Sequence, residues 1–359
     1  MTAIWENNAW PEFSFDAEIV EPALYTCTRS FGAWEGLLQG LNAAERDELI
    51  LGNIVAEALG SFAIEGVQLS QADIQNSVIR SMSARNLEGT KHRSDRIADV
   101  MLDARNIQSG LTAERLCHWH HALFFGMEIE DIGRWRRFPM VIAKSAVMGD
   151  EEVLYRAVPH EVLDAEMERF FEWLELAEEV PPIKAALAHI YFESLHPFSD
   201  GNGRLGRALI ENVLAGAGIP SFALSRQIGK EKAEYYDALQ KGRLVRGDKI
   251  DATAFVKWLL EAMTRAMEAS ILEAKFLLRR NAFLLKFQMK LNGRQEQVLR
   301  RLFVEGEGRV LEGISAKTYA KISGTSPATA TRDLADLREK GALKLGEAGG
   351  RSTYYELVW

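Results

Sequence analysis

Apolar residues recur at steps of three and four residues through most of the chain, the spacing that places them on one face of an α-helix. One such run includes Ile54, Ala58 and Phe62 and ends before Gly66, and another occupies residues 183–195. A glycine just after the last apolar residue of such a run is a usual helix end. The pattern therefore predicts a mainly α-helical protein.

Two parts of the chain depart from this periodicity. Residues 138–142 and 153–155 are rich in β-branched and aromatic residues and flank Gly149-Asp150, which predicts a short β-hairpin with a turn at that dipeptide. Towards the end of the chain, the pattern predicts three helices followed by a terminal hairpin. Because this order is typical of a winged helix-turn-helix domain, we expect one at residues 293–359.

Composition narrows the class of protein. The chain has 359 residues, a formal net charge of −8 and two cysteines, Cys27 and Cys117. This length suits more than one domain, and two cysteines are too few for a disulfide scaffold. The first residues do not resemble a signal peptide, and no apolar run is long enough to span a membrane. We therefore expect a cytoplasmic protein that makes no membrane contact.

The most informative stretch, residues 196–207, reads His-Pro-Phe-Ser-Asp-Gly-Asn-Gly-Arg-Leu-Gly-Arg. Helical periodicity surrounds it, which predicts a loop that leads into a helix. Gly201 and Gly203 allow a ligand to approach the backbone, and free N–H groups at a helix start attract anions. Arg204 and Arg207 are three residues apart on one side of that helix, where their guanidinium groups suit phosphate oxygens.

Two further residues of this stretch add chemistry. Asp200 is its one carboxylate and suits a Mg²⁺ ion that bridges phosphates, while His196 has an ordinary pKa near neutrality and suits a general base. The stretch lacks the Gly-Lys-Ser/Thr ending of a P-loop and the preceding strand of a Rossmann fingerprint. Taken singly, a glycine-rich loop, helical arginines or one histidine are more often structural. Their combination within twelve residues indicates phosphate chemistry.

Every fixed position of this stretch matches His-Pro-Phe-x-Asp/Glu-Gly-Asn-Gly-Arg-x-x-Arg, the signature of the Fic family, and the chain resembles that family over roughly residues 40–265. The resemblance implies a Fic-type helical bundle with a short β-hairpin flap, which would correspond to the hairpin predicted within residues 138–155. It also implies that AMP is transferred from ATP, with Mg²⁺, to a Ser, Thr or Tyr hydroxyl of a target protein.

The resemblance assigns a role to each matching residue. His196 would deprotonate the target hydroxyl, and Asp200 would hold Mg²⁺ against the α- and β-phosphates. The other matching positions would contact the ATP phosphates: Gly201, Asn202 and Gly203 would line an anion hole, and Arg204 and Arg207 would bind the β- and γ-phosphates. Tyr235 and Tyr236 resemble an aromatic pair near the nucleotide base, although packing into the helical core is an equal alternative for one of them.

A second pattern, Ser61-Phe62-Ala63-Ile64-Glu65-Gly66, ends the helix that is predicted at about residues 45–66. A carboxylate in the last helical turn opposes the helix dipole at a cost of about 0.3–1 kcal/mol, and spacing alone favours an ordinary exposed glutamate. The segment nevertheless resembles the Fic inhibitory motif Ser/Thr-x-x-x-Glu-Gly/Asn. The resemblance implies that Glu65 pairs with Arg207, blocks the γ-phosphate site and makes the enzyme autoinhibited.

These patterns predict four parts along the chain. They are an N-terminal helical region with the inhibitory helix (1–105), a Fic catalytic core (106–265), a connector helix (266–292) and a winged helix-turn-helix domain (293–359). Residues 275–301 carry a net charge of +7, whereas the presumed recognition helix at residues 326–340 carries none. DNA and protein therefore remain alternative partners of the last part.

The sequence thus favours an autoinhibited protein adenylyltransferase, a nucleotidyltransferase that uses ATP as substrate. The alternative is a DNA-binding transcription regulator in which the nucleotide fold only senses its ligand. The intact set of His196, Asp200, Arg204 and Arg207 favours the enzyme. The target protein, the modified residue, the nucleotide preference, a homodimer and the signal that relieves the inhibition are left open.

Overall fold

The computed structural model describes residues 3–83, 92–108, 110–144, 152–347 and 353–358. Fifteen α-helices and eight short strands occur within these ranges, so the prediction of a mainly α-helical fold is confirmed. The chain divides into two compact units, an N-terminal unit of residues 1–271 and a C-terminal unit of residues 272–359. No helix in the described ranges is long and apolar enough to cross a membrane.

The N-terminal unit is built from helices. Their bounds are α1 Ala17–Gln39, α2 Ala43–Ile64, α3 Gln71–Ser83, α4 Arg93–Ala104, α5 Ala113–Leu123, α6 Leu163–Leu176, α7 Pro181–Leu195, α8 Asn202–Gly216, α9 Leu224–Lys230, α10 Lys232–Lys241 and α11 Thr253–Phe287. The last helix belongs to both units, because the boundary at residue 271 lies within it. The predicted connector, residues 266–292, lies mostly within α11, and the four-part division itself stays a prediction.

Two small sheets accompany these helices. Their strands are β1 Phe13–Ser14, β2 Val141–Lys144, β3 Glu152–Arg156, β4 Leu244–Arg246 and β5 Lys249–Asp251. Strand β5 pairs in parallel with β1 and antiparallel with β4. Strands β2 and β3 form an antiparallel hairpin in which Ile142 lies opposite Tyr155. This hairpin lies where the sequence pattern predicts it, and the predicted turn at Gly149-Asp150 lies outside the described residues.

Local sequence signals explain the ends of the helix predicted at about residues 45–66. The Asn42 side chain accepts a hydrogen bond from the Glu45 N–H at 3.0 Å, and the Glu45 carboxylate accepts one from the Asn42 N–H at 3.3 Å. This reciprocal capping box starts α2. The helix ends at Ile64, and Gly66 follows in the left-handed region at φ 77°. Its last turn therefore leaves Glu65 at the helix terminus.

Helix α7 lies at the centre of the N-terminal unit. Thirteen of its 15 residues are buried, so it has no polar face, as expected for a helix that is surrounded by others. One side packs into a cluster with Phe62, Trp119 and Phe198, and another packs into a cluster with Phe255 and Met263. The core thus fixes the end of α7, from which the loop of residues 196–201 leads into α8.

The C-terminal unit has its own core. Its further elements are α12 Gly293–Val304, α13 Glu307–Leu311, β6 Ile314–Ser315, α14 Ala316–Ser323, α15 Pro327–Glu339, β7 Leu343–Leu345 and β8 Tyr354–Leu357. The strands form a sheet in the order β6-β8-β7. Phe287, Leu302, Tyr319 and Leu334 are among its buried residues. The three predicted helices are present, together with the short helix α13 and strand β6, which the sequence pattern did not predict.

Candidate active site

The loop between α7 and α8 has two residues in the left-handed region of backbone space. They are His196 at φ 48° and Gly201 at φ 81°. A Cβ atom at Gly201 would lie 2.6 Å from the Phe124 ring, so both the backbone angle and the space require glycine there. His196 is not a glycine, and holding a non-glycine residue in this backbone conformation costs of order 1–3 kcal/mol. The surrounding contacts must hold it.

Asn202 is one source of those contacts. Its side-chain Oδ1 accepts a hydrogen bond from the Phe198 N–H at 2.9 Å, and its Nδ2 donates to the Phe198 carbonyl at 2.9 Å. Both polar atoms of the side chain therefore bond to the loop. The backbone N–H of Asn202, at the first position of α8, has no partner within the helix and can contact a ligand.

His120 is a second source, and the sequence did not distinguish it from the neighbouring His118 and His121. Its ring stacks on Phe198 with a centroid distance of 4.1 Å and an interplanar angle of 6°. Nδ1 accepts from the Gly133 N–H at 2.8 Å, which places the proton on Nε2, and Nε2 donates to the Asp200 carbonyl at 3.2 Å. Burial lowers the pKa of His120 to about 4, so this ring is neutral at pH 7.

The His196 side chain is largely enclosed, with 19% of its surface exposed. Its Nδ1 lies 3.8 Å from Oε2 of the buried Glu193. Burial, together with the positive charge of Arg243, lowers the pKa of His196 to about 3. The imidazole is therefore neutral at pH 7 and has a lone pair available for a proton.

Arg204 lies under the loop beside Asp200. Its NH2 group donates to Asp200 Oδ1 at 3.0 Å, and its guanidinium carbon lies 4.6 Å from the centroid of the Phe124 ring. Arg204 is buried, whereas 62% of the Asp200 side chain is exposed. The carboxylate thus faces the exterior, and the arginine lies behind it.

Arg207 is enclosed by the end of α2. Its Nε donates to Ser61 Oγ at 2.9 Å, and its NH2 donates to the Ser61 carbonyl and to Glu65 Oε1, each at 2.8 Å. A Cβ atom at Gly203 would lie 2.5 Å from Glu65 Oε1, so the carboxylate covers the first turn of α8. Although burial lowers the pKa of Arg207, the Glu65 carboxylate raises it above its ordinary value.

Both arginines have nitrogen atoms that donate to no acceptor among the described residues. They are Nε of Arg204 and NH1 of Arg207, and both atoms are buried. Buried donors without a partner are rare in folded proteins, because their lost hydration is not replaced. An anion at the start of α8 would supply the missing acceptors and would also be attracted by the helix terminus.

The loop and its supporting helix lie in a part of the chain that resembles a known family. The family model described as Fic/DOC matches residues 110–214, which include the whole loop and α7. Residues 110–214 are a Fic domain. A second model, described as a domain of unknown function (DUF4172), matches residues 4–83, which include α2.

Curated relatives match part of the chain. Proteins named protein adenylyltransferase Fic from Culex quinquefasciatus and Aedes aegypti are each 33% identical to the chain over 105 residues, or 28% of its length. The match covers 19% of either relative, so the chain spans about a fifth of the length of these proteins.

Solved structures show the fold. A Fic family protein from Desulfovibrio desulfuricans aligns over 94% of this chain and 96% of its own, with a TM-score of 0.54 and 20% identity. A Fic domain containing signaling protein from Bacteroides thetaiotaomicron aligns over 70% and 98%, with a TM-score of 0.53 and 20% identity. Fic-1 from C. elegans aligns over 72% and 75%, with a TM-score of 0.51 and 19% identity.

The two tyrosines that follow the Fic domain differ in surroundings. Tyr235 is 1% exposed, and its hydroxyl lies 2.7 Å from His189 Nε2 in the core. Tyr236 is 44% exposed. Of this pair, Tyr236 alone has substantial ring surface available for a ligand. Contact of either tyrosine with a nucleotide base stays a prediction.

The donor set around Asp200 fits a magnesium ion that is held mainly by a ligand. Among the described residues, no group of three or more His, Cys, Asp or Glu side chains could hold a metal by itself. Mg²⁺ commonly binds one or two carboxylates and completes its octahedron with substrate phosphates and water. The exposed Asp200 carboxylate beside the free arginine donors suits that arrangement.

Proposed function

We propose that this chain is an autoinhibited protein adenylyltransferase, which transfers AMP from ATP to a hydroxyl group of a target protein. The observation that supports it most is the combination at one helix start of a neutral His196 with the unpartnered donors of Arg204 and Arg207. The names of the matching relatives agree with this activity.

In the proposed reaction, His196 acts as general base. The target hydroxyl transfers its proton to the imidazole while its oxygen attacks the α-phosphorus of ATP. A new P–O bond forms, the bond between the α-phosphorus and the bridging oxygen breaks, and pyrophosphate leaves. The negative charge of the bound triphosphate raises the pKa of His196 from its low value in the free protein and makes it a better base.

The phosphates are bound by the start of α8. Backbone N–H groups of residues 201–203 and the guanidinium groups of Arg204 and Arg207 hold the triphosphate in line with the incoming hydroxyl. Asp200 would hold Mg²⁺, which when bound neutralises charge on the phosphate oxygens. The hydrogen bonds between Asn202 and Phe198 hold the loop in one conformation, so the phosphate-binding N–H groups are in place before the substrate binds.

Autoinhibition follows from competition for Arg207. Its NH2 group already donates to Glu65, and the carboxylate lies against Gly203, where the terminal phosphate would otherwise bind. A phosphate placed there would meet a negative charge and would find Arg207 occupied. ATP would then bind with its α-phosphorus out of line.

Radioactive labelling tests the proposed reaction. Glu65→Gly protein incubated with ATP labelled at the α-phosphate should become labelled, and ATP labelled at the γ-phosphate should leave it unlabelled, because AMP and not phosphate is transferred. The double variant Glu65→Gly, His196→Ala should bind ATP and transfer no label. Label from the γ-phosphate, or full labelling without His196, would contradict the proposal.

The hydrogen bonds of the acidic side chains on α15 favour a second function, DNA binding, for the C-terminal unit. On α15, Asp333 is buried and accepts hydrogen bonds from Arg294 and Tyr319, and Asp336 accepts from Gln295. Two of the three acids that neutralise this helix are therefore already engaged, and the third, Glu339, is exposed. The exposed cations on α15 are Arg332 and Arg338.

We infer that the exposed surface of α15, which carries these two arginines and also Glu339, contacts DNA in a winged helix-turn-helix arrangement. Residues 275–301, which carry a net charge of +7, contribute less to DNA binding than that charge suggests. The reason is that Arg279, Arg300 and Arg301 each pair with a glutamate. Fluorescence anisotropy with a labelled DNA duplex tests this inference at low and high salt. Binding that weakens with salt and with Arg332→Ala, Arg338→Ala supports it, and equal affinity of the variant contradicts it.

A further inference from the structure

The buried side chain of Arg136 lies between the loop of residues 196–201 and the β2–β3 hairpin. It is 1% exposed, and no carboxylate among the described residues forms an ion pair with it. Its hydrogen-bond partners are all backbone carbonyl groups. Burial lowers the pKa of this arginine, although the group stays charged at pH 7. Although the charge of Glu161 acts on it at a distance, no carboxylate in the described part of the chain contacts this guanidinium, so its hydrogen bonds to the backbone carbonyl groups must offset the cost of burial.

Three consecutive carbonyl groups at the end of α7 are held by this one residue. The side-chain Nε donates to the His196 carbonyl at 2.8 Å, and NH2 donates to the Leu195 carbonyl at 3.3 Å. The backbone N–H of Arg136 donates to the Pro197 carbonyl at 2.8 Å. These bonds fix the peptide groups on both sides of His196, which explains how a histidine is kept at φ 48°.

The same guanidinium also holds both ends of the hairpin. NH1 donates to the Phe138 carbonyl at 2.8 Å, just before β2, and NH2 donates to the Val158 carbonyl, just after β3. The planar fork of arginine, with five N–H donors, suits this set of carbonyls in a way that the three donors of lysine do not. The base of the hairpin and the backbone of His196 therefore share one rigid connection.

We propose that Arg136 is a positioning residue that sets the imidazole of His196 relative to the β2–β3 hairpin and thereby to the hydroxyl group of a bound target. This inference rests on the proposed function. Arg136 itself would contact neither phosphate nor metal, since the residues expected to hold those groups lie on the loop and on α8. Loss of the connection should misplace the base while ATP binding continues.

The kinetic test uses the full-length Glu65→Gly protein as parent and compares Arg136→Met, Arg136→Lys and, as a matched control, the adjacent exposed Arg137→Met. Automodification is followed with α-labelled ATP over a range of ATP concentrations. Arg136→Met should lower the apparent kcat roughly 100-fold with an unchanged apparent KM for ATP, because a displacement of about 1 Å has that effect. Arg136→Lys should recover part of the rate, and Arg137→Met should equal the parent.

Equal kcat for Arg136→Met and Arg137→Met would overturn the inference, and so would a loss confined to KM for ATP. If Arg136→Met does not fold, Arg136→Lys at the full parental rate overturns it, and a reduced kcat with unchanged KM supports it. Circular dichroism establishes which variants are folded.

A measurement without catalysis separates this inference from the proposed function. The Phe198 N–H donates to Asn202, and the Ala157 N–H donates to the Met140 carbonyl at the base of the hairpin. In Arg136→Met or Arg136→Lys protein without ATP, both amides should exchange hydrogen roughly tenfold faster than in Arg137→Met. If both amides exchange faster in the Arg136 variants while the Glu65→Gly parent transfers no AMP, the connection through Arg136 is supported and the adenylyltransferase function is rejected. Unchanged exchange at both amides would reject the connection itself.

Discussion

Replacement of Glu65 by glycine should release Arg207 and accelerate AMP transfer. The substitution removes one carboxylate and is compatible with the backbone, since Glu65 caps α2 at φ −87° and ψ 11°. The lost contact is the 2.8 Å hydrogen bond from Arg207 NH2 to Glu65 Oε1. Arg207 keeps both of its hydrogen bonds to Ser61, so the freed arginine stays in position.

The size of the effect follows from the contact that ATP must displace. A hydrogen bond between charged groups contributes about 1.5–3 kcal/mol. Because about 1.36 kcal/mol corresponds to a factor of ten, the rate should rise roughly 10- to 160-fold if the productive pose requires that bond to break. The free energy of unfolding should fall by a similar amount, about 1.5–3 kcal/mol, because Arg207 is buried and loses its charged partner.

The assay measures initial rates of automodification at saturating α-labelled ATP. Glu305→Gly is a matched control, because Glu305 also caps a helix and pairs with an arginine but lies in the C-terminal unit. Arg207→Ala added to Glu65→Gly should cancel the gain, since both changes act through one contact. Equal rates for the wild type and Glu65→Gly, with ATP binding and folding intact, would refute the inhibitory role.

Three further predictions concern the loop, the nucleotide base and pH. Asn202→Ala removes two hydrogen bonds to Phe198 and should lower the free energy of unfolding by about 2 kcal/mol. An unchanged urea midpoint would show that the loop does not depend on them. Tyr236→Ala should raise KM for ATP roughly 2- to 12-fold with an unchanged midpoint, as expected if its exposed ring stacks on the base, and an unaltered KM would assign the ring to the surface. Burial lowers the pKa of His120 to about 4 and of His189 to about 3, below the unfolded value near 6.5, so the unfolded chain binds more protons between those values. These two histidines should therefore contribute a loss of stability as pH is lowered from 6.5 to 4, by up to about 1.4 kcal/mol per pH unit for each group. Glu57 and Glu193, whose pKa values burial raises to about 8 and about 7, contribute in the opposite direction, so the histidine contribution is read from a variant. Urea titrations of the wild type and of His120→Gln at several pH values test this, because the variant should lose less stability on acidification, and an identical pH dependence of the two proteins would contradict it.

The loop chemistry could be predicted from sequence because its parts are neighbours in the chain. Twelve consecutive residues determine that a loop precedes a helix and that two arginines share one side of it. The hairpin and the helix at about residues 45–66 could also be predicted, because the spacing of apolar residues and a terminal glycine are local features of the sequence. The structure starts that helix at Ala43 because Asn42 and Glu45 form a capping box.

The side chains that hold the loop could not be predicted from the sequence in this way. Three histidines, at positions 118, 120 and 121, stand close together on α5, and only the packing of α5 against the loop determines that His120 faces Asp200. The same is true of Arg136, which lies among three other residues of a basic and aromatic run, Arg134, Trp135 and Arg137. Charge and spacing do not indicate which of these cations points inward.

The contact between Glu65 and Arg207 joins residues that are 142 positions apart. Spacing alone favoured an exposed glutamate, and only the resemblance to an inhibitory motif indicated the pairing. The structure adds why removal of the carboxylate and removal of α2 are different perturbations. Ser61 holds Arg207 through both its hydroxyl and its carbonyl, so α2 orients the arginine as well as occupying it. A signal that displaced the whole helix would free Arg207 and also leave it without that support, whereas loss of the Glu65 contact alone leaves a positioned guanidinium with a donor directed at the start of α8.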